Sequence, residues 1–481
     1  MIKTLYKIKT STNQIFLAIS IIVLYFFSGC NESPKGIKIT VQGLKDENII
    51  LGYYFNNMMK PKDTIKLDKN GEGFISPAEK TNEGIYFLFL PNGKHSDFLV
   101  SKDQNFSIKT SLSTPLISQK ISGSKETKLY SYFLKYKSEK QKEIEILSLK
   151  LNNSDKNSSE HKNIINEIEL LNKKIIAKTD SIIQSNQGTL LAEILLLSKK
   201  IDMKNYNYFD HKEDSIKLKS YRKHYFDNID LNDERLLYTP YFKQFLDIYF
   251  REIIKDNFRK LIKDSKELIN SSTNPEVRKY LIKYFFNLAS TGHFSGNDNF
   301  LTEIAEKYYF SGEAIWVSPV FLEKLRNKIT QIKYSLIGKK APDLLMESYN
   351  GQYYRLSEEK SDLTILIFWD PNCGHCKTGI PQIKKHIWEK YKDRGIKIFG
   401  VYTRPEKKPW TDFIEKHDLY EWINVYDPLY KTNFWEFYNI HSTPTIYILD
   451  KNNTIIYKMT GKDFDFNKLL NFTEKYLNSG E

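Results

Sequence analysis

Thr364-Ile365-Leu366-Ile367-Phe368-Trp369-Asp370-Pro371-Asn372-Cys373-Gly374-His375-Cys376 is the stretch that decides how this chain is read. A six-residue run, five apolar residues unbroken after Thr364, stopped by Asp-Pro-Asn describes a buried strand. The two cysteines then open a helix running to about Tyr391. A Cys-x-x-Cys at the end of a buried strand and the start of a helix is the layout of a thiol–disulfide redox centre. The attacking species there is a thiolate. Cys373 meets the free N–H groups and positive dipole end of the helix, which favour a negative charge. Cys376, one turn later, points back toward the first sulfur and can close a compact disulfide with it. Gly374 lets the backbone turn tightly, and His375 supplies a polarisable or positive neighbour that stabilises the thiolate. Cys373 is thus read as the nucleophile and Cys376 as the resolving thiol, with Trp369 and Gly374 as neighbours.

Outward from this stretch, strands and helices alternate, which calls for a sheet covered by helices. Gly338-Lys339-Lys340-Ala341-Pro342 punctuates the start of the domain, and Asn350-Gly351 sits between apolar runs as a hairpin turn. Strands are expected at Ile396–Tyr402, Thr445–Leu449 and Thr454–Tyr457, and Trp422–Tyr426 is a short apolar run. Helices are expected at Trp410–His417, Phe434–Tyr438 and Phe466–Leu477. A second element, Ser442-Thr443-Pro444-Thr445, leads into the Thr445 strand.

These motifs resemble the thioredoxin superfamily, and Ser442-Thr443-Pro444-Thr445 is similar to its cis-proline loop, which lies against the active-site cysteines. A cis Pro444 would leave the backbone of Thr443 to pair with an extended substrate peptide. Cys376 and Pro444 are 68 residues apart. That separation resembles the TlpA-like branch, whose members carry an extra β–α insertion there; Trp369, Pro381 and Thr443-Pro444 also fit. The resemblance covers about 335–481 and implies a thioredoxin fold acting on protein thiols and disulfides. It implies no cofactor beyond a redox-active Cys373–Cys376 disulfide, no metal, and a membrane-bound electron donor or acceptor. Two positions depart from the pattern. Ile367 stands where many thioredoxins have a buried carboxylate, and Gly379 stands where some TlpA-like proteins have a glutamate.

The third cysteine, Cys30, closes a short N-terminal segment. Lys3, Lys7 and Lys9 precede an apolar run from Ile15 to Phe27, and thirteen helical residues span about 20 Å, short of the ~30 Å hydrocarbon core. The run therefore fits a signal peptide better than a membrane-spanning helix. With Ser28 and Gly29 before Cys30, residues 1–29 resemble a bacterial lipoprotein signal. That implies lipidation of Cys30 and a membrane-anchored protein on the periplasmic or outer-surface side.

Between these ends the pattern changes once. Residues 30–115 read as an all-β, sandwich-like domain: Ile37, Ile39 and Val41 alternate with polar residues, Ile49–Tyr54 and Ile85–Leu90 are apolar runs, and Asn70-Gly71 is a favoured hairpin turn. From about 120 to 335 the period is helical, with Ile164, Ile168, Leu171 and Ile175 on one face. Pro275 opens a further helix running through Leu288. The fold class is thus multi-domain: all-β, then α-helical, then an α/β thioredoxin fold over 338–481.

In 481 residues, 40% hydrophobic content and a mean hydropathy of −0.51 exclude a multi-span membrane protein. The formal charge of +13 is spread over lysines interleaved with Glu, Asp and Asn, with no arginine-rich stripe of the kind that tracks phosphates, so nucleic acid is not an expected partner. Three other readings compete with this one. A peroxiredoxin-like peroxidase needs a threonine where Asp370 stands. A zinc site on Cys373, His375 and Cys376 needs further ligands. A non-enzymatic surface or scaffold lipoprotein would use the Cys-x-x-Cys only as a structural staple.

Overall fold

The computed structural model describes residues 36–76, 82–205, 216–254, 257–291 and 295–479. The signal segment 1–29 and Cys30 lie outside the described residues. The chain divides into two compact units: one runs to Leu218 and takes back Arg235–Phe245, and the other comprises Lys219–Glu234 and everything from Leu246 onward.

The first unit contains two four-stranded sheets, built from β1 (Ile37–Gln42), β2 (Asn48–Phe55), β3 (Met58–Lys66), β4 (Glu72–Ile75), β5 (Gly84–Phe89), β6 (His95–Val100), β7 (Phe106–Ser111) and β8 (Lys120–Ser122). Their orders are β4-β1-β7-β8 and β3-β2-β5-β6. The alternating residues Ile39, Val41 and Ile108 of one sheet share a core with Leu51, Leu88 and Phe98 of the other, which makes a sandwich. The turn at Asn70-Gly71 does not close a hairpin. It carries the chain from β3, paired with β2, to β4, paired with β1 in the opposite sheet. The outward side chains Ile85, Phe87 and Leu99 are covered by helices α1 (Lys125–Asn153), α2 (Ser159–Ser185) and α3 (Leu190–Asn205). Ser124 and Ser158 cap the first two, their hydroxyls accepting from the amides of Thr127 and His161.

The helical residues of 120–335 are therefore divided between the units. In the second unit, α4 (Phe258–Ser271), α5 (Pro275–Thr291), α6 (Asn297–Ile304) and α7 (Pro319–Ile332) precede the C-terminal domain. That domain has one seven-stranded sheet of β9 (Leu345–Ser348), β10 (Tyr353–Arg355), β11 (Leu363–Trp369), β12 (Ile396–Tyr402), β13 (Ile423–Tyr426), β14 (Thr445–Asp450) and β15 (Ile455–Met459). Its order is β10-β9-β13-β12-β11-β14-β15. Central β11 runs parallel to β12 and antiparallel to β14.

Every residue of β11 is buried, and its two faces serve two cores. Ile365, Ile367 and Trp369 pack with Cys376, Ile380 and Ile383 of α8 (Gly374–Ile383). Leu366 and Phe368 pack with Phe434, Tyr438 and Tyr447 on the other side. Each such side chain taken out of water contributes roughly 1.5–3 kcal/mol, so the strand that carries the cysteine pair is also among the most firmly held. Pro381 lies inside α8 and lacks an amide proton, and the helix continues as a π turn at Lys384–Trp388.

Candidate active site

The end of β11 and the start of α8 place Cys373 at the N-cap of the helix, with extended backbone (φ −76°, ψ 128°). Its amide donates to the Asp370 carbonyl at 3.0 Å and its carbonyl accepts from Lys377. The Cys373 thiol is half-buried and donates to the Thr443 carbonyl at 3.0 Å, which brings the two sequence motifs together. The Thr443–Pro444 peptide bond is cis. Cys376 is fully buried, and both cysteines are free thiols.

The two sulfurs are in opposite electrostatic situations. Burial pushes the Cys373 thiol up, but hydrogen bonding from the Thr443 side chain and from the amides of Cys376 and His375 outweighs it, and the net shift is downward. Burial pushes the Cys376 thiol up to about 12. Of the two, the outer sulfur is the one whose deprotonation its surroundings favour.

His375 is exposed on the first turn of α8, and its amide is what reaches Cys373. Gly374 adopts ordinary helical backbone, and a Cβ there would meet nothing within 4 Å. The turn itself does not demand glycine; a bare residue leaves the surface beside the sulfur open. Trp369 is fully buried against Phe413, ring centroids 5.1 Å apart.

Two groups at this site carried no signal of their own in the sequence. Asp370 is 6% exposed. One carboxylate oxygen accepts from the Asn372 amide at 2.8 Å, and the other accepts from Arg404 Nε at 2.9 Å. Asp370 could have been marked by its place directly after the buried strand, but Arg404 comes from beyond β12 and has no local cue. The departures at 367 and 379 have physical causes. Ile367 is a fully buried core residue. At Gly379 a Cβ would lie 2.6 Å from the Phe464 ring, so the aromatic ring fills the space a glutamate would need.

Residues 337–458 match the AhpC/TSA family. The thiol-disulfide oxidoreductase ResA of Geobacillus kaustophilus (strain HTA426) is 27% identical over 135 residues, 28% of this chain and 75% of the relative. The thioredoxin-like protein YneN of Bacillus subtilis (strain 168) is 29% identical over 120 residues, 24% of this chain and 68% of the relative. A solved domain of a possible thiol-disulfide isomerase from Cytophaga hutchinsonii ATCC 33406 is 36% identical, covering 30% of this chain and 95% of that one with a TM-score of 0.27. The C-terminal domain is a thioredoxin-superfamily domain, and the protein is a thiol–disulfide oxidoreductase.

Proposed function

We propose that the chain is a membrane-anchored, extracytoplasmic oxidoreductase that exchanges electrons with protein disulfides through Cys373 and Cys376. The observation that carries this reading is the placement of the pair: Cys373 is half-buried at the helix N-cap with its sulfur 3.0 Å from the Thr443 carbonyl beside the cis Pro444, and Cys376 is fully buried one turn later. In the reducing direction the Cys373 thiolate attacks one sulfur of a substrate disulfide. A Cys373–substrate bond forms as the substrate S–S bond breaks, and the other substrate sulfur leaves and takes up a proton. Cys376 then gives up its proton and attacks the Cys373 sulfur. The second substrate thiol departs, the protein is left with a Cys373–Cys376 disulfide, and two electrons have passed to the substrate. A membrane-bound partner of the opposite redox state resets the pair. A staple-only role fits poorly with a half-buried Cys373 whose thiol is lowered.

The amide of Thr443 has no hydrogen-bond partner among the described residues and its carbonyl meets Cys373, which supports pairing of an extended substrate segment at this loop. The extracytoplasmic setting is supported by the N-terminal sequence ending in Ser28-Gly29-Cys30. Two measurements test the proposal. The Cys376→Ser variant should accumulate substrate mixed disulfides on Cys373, and no trapped species from a disulfide-bearing extract would count against it. Mass spectrometry of the mature N-terminus should find lipid on Cys30; an unmodified Cys30 inside a longer peptide removes the anchor.

A further inference from the structure

Beside the Thr443 loop, within the second unit, lies a cavity of about 670 Å³ whose wall includes His441, Ser442, Asp298, Lys328 and Lys468. A second hollow of about 430 Å³, lined by Lys324, Lys328, Asp298 and His441, continues along α7. The shared wall residues make one polar trench that starts at Ser442, the neighbour of the residue touching Cys373.

The charge of this trench is one-sided. Asp298 is taken up by Lys458 at 2.5 Å, and Asp463 accepts from the Thr460 hydroxyl at 2.9 Å. Lys324, Lys328 and Lys468 have no carboxylate partner among the described residues. Lys324 and Lys328 stand four apart on α7, so their ammonium groups share one helix face.

Resting on the function proposed above, we infer that this trench selects protein disulfides whose reacting cysteine is flanked by acidic residues, read by Lys324, Lys328 and Lys468 with His441 beside them. From Thr443 back to Asn439 the wall spans four residues, at most about 3.6 Å each. The acidic side chains therefore belong within roughly five residues of the substrate cysteine. Uncharged asparagines along the same wall supply hydrogen bonds without opposing an acidic segment.

The test uses the full chain and three peptide disulfides identical except for Asp, Asn or Lys at the flanking positions, with kcat/KM measured at low and at high salt. The expected result is a preference for the Asp peptide over the Lys peptide of roughly tenfold at low salt, shrinking at high salt. The ratio should fall toward one in K324Q/K328Q and reverse in K324E/K328E. Because each variant is judged by its own Asp-to-Lys ratio, a general loss of activity does not enter the comparison. Equal rates for all three peptides, or a preference untouched by the lysine substitutions, would overturn the inference. A preference confined to glutathione disulfide would overturn it as well, by making the trench a small-molecule site. If no peptide disulfide reacts at all, it is the proposed function that fails.

Discussion

Lys458 on β15 is 8% exposed, and its ammonium lies 2.5 Å from the carboxylate of Asp298 at the start of α6. Burial pulls the ammonium down, but Tyr447 and the Asp298 carboxylate more than offset this, so the group is held charged. The ion pair joins the sheet that carries the cysteines to a helix preceding the domain in sequence.

Breaking that pair from one side leaves a charge buried without its partner. Asp298→Ala should cost about 3–5 kcal/mol, toward the lower figure because the aspartate is partly exposed. Lys458→Met should cost less, since it removes the charge and keeps the packing. Combined, the two should cost clearly less than their sum, measured by urea unfolding in a double-mutant cycle.

Thiol reactivity should separate the two cysteines by pH. Cys373 should react with iodoacetamide at pH 7 faster than an ordinary thiol, with a midpoint below the unperturbed value of ~8.5. Cys376 should stay unreactive until far higher pH. The signs for stability follow. The lowered Cys373 favours the folded reduced protein above the unfolded thiol's value, and that contribution is lost as pH falls through the folded value. The raised Cys376 contributes fully below the unfolded value and loses its contribution as pH rises through about 12. Reduced protein should therefore lose stability at alkaline pH relative to Cys376→Ala, and equal pH profiles would refute the buried neutral thiol.

Gly379→Glu should not install a proton acceptor for Cys376. With the Phe464 ring 2.6 Å from the position of its Cβ, the substitution should destabilise by about 2 kcal/mol or more. Adding Phe464→Ala should recover part of that loss. Unfolding of the single and double variants in urea checks both statements.

The redox potential should be intermediate, roughly −180 to −250 mV, because amide and Thr443 hydrogen bonds favour the Cys373 thiolate over the disulfide. Equilibration with glutathione buffers measures it. A value below about −280 mV would show a dedicated reductant and an overestimated thiolate stabilisation.

How much of this was legible depended on how local the cause was. β11, the helix after it and the Thr443-Pro444 loop could be read because an apolar run and a motif each act within a few residues. β3 shows in the sequence only at its end, where Ile65 leads toward Asn70-Gly71: it is an edge strand in which Ile65 is the one buried residue, and Pro61 sits beside a bulge, so no alternating pattern extends further back. Asn70-Gly71 has the chemistry of a hairpin turn, but that chemistry says nothing about which sheet receives the next strand. Arg404 beside Asp370 and Phe464 over Gly379 are pairings across dozens of residues, set by tertiary packing alone. An amphipathic helix likewise shows that it has a buried face without saying against what, so the division of the helices between two units had no sequence signature.

That division bears on the order in which the protein is made. Arg235–Phe245 belong to the first unit, yet sixteen residues of the second, Lys219–Glu234, are synthesised before them. The Asn56 amide waits for the Leu237 carbonyl, and Gly84 for the Tyr238 side chain that packs upon it. At about 5–20 residues per second the ribosome needs only seconds to supply this segment. Until then the sandwich has to persist incomplete while early pieces of its neighbour are already outside the exit tunnel. The first unit is therefore complete only once Phe245 has been added, after an early piece of the second, and the redox domain follows it along the growing chain.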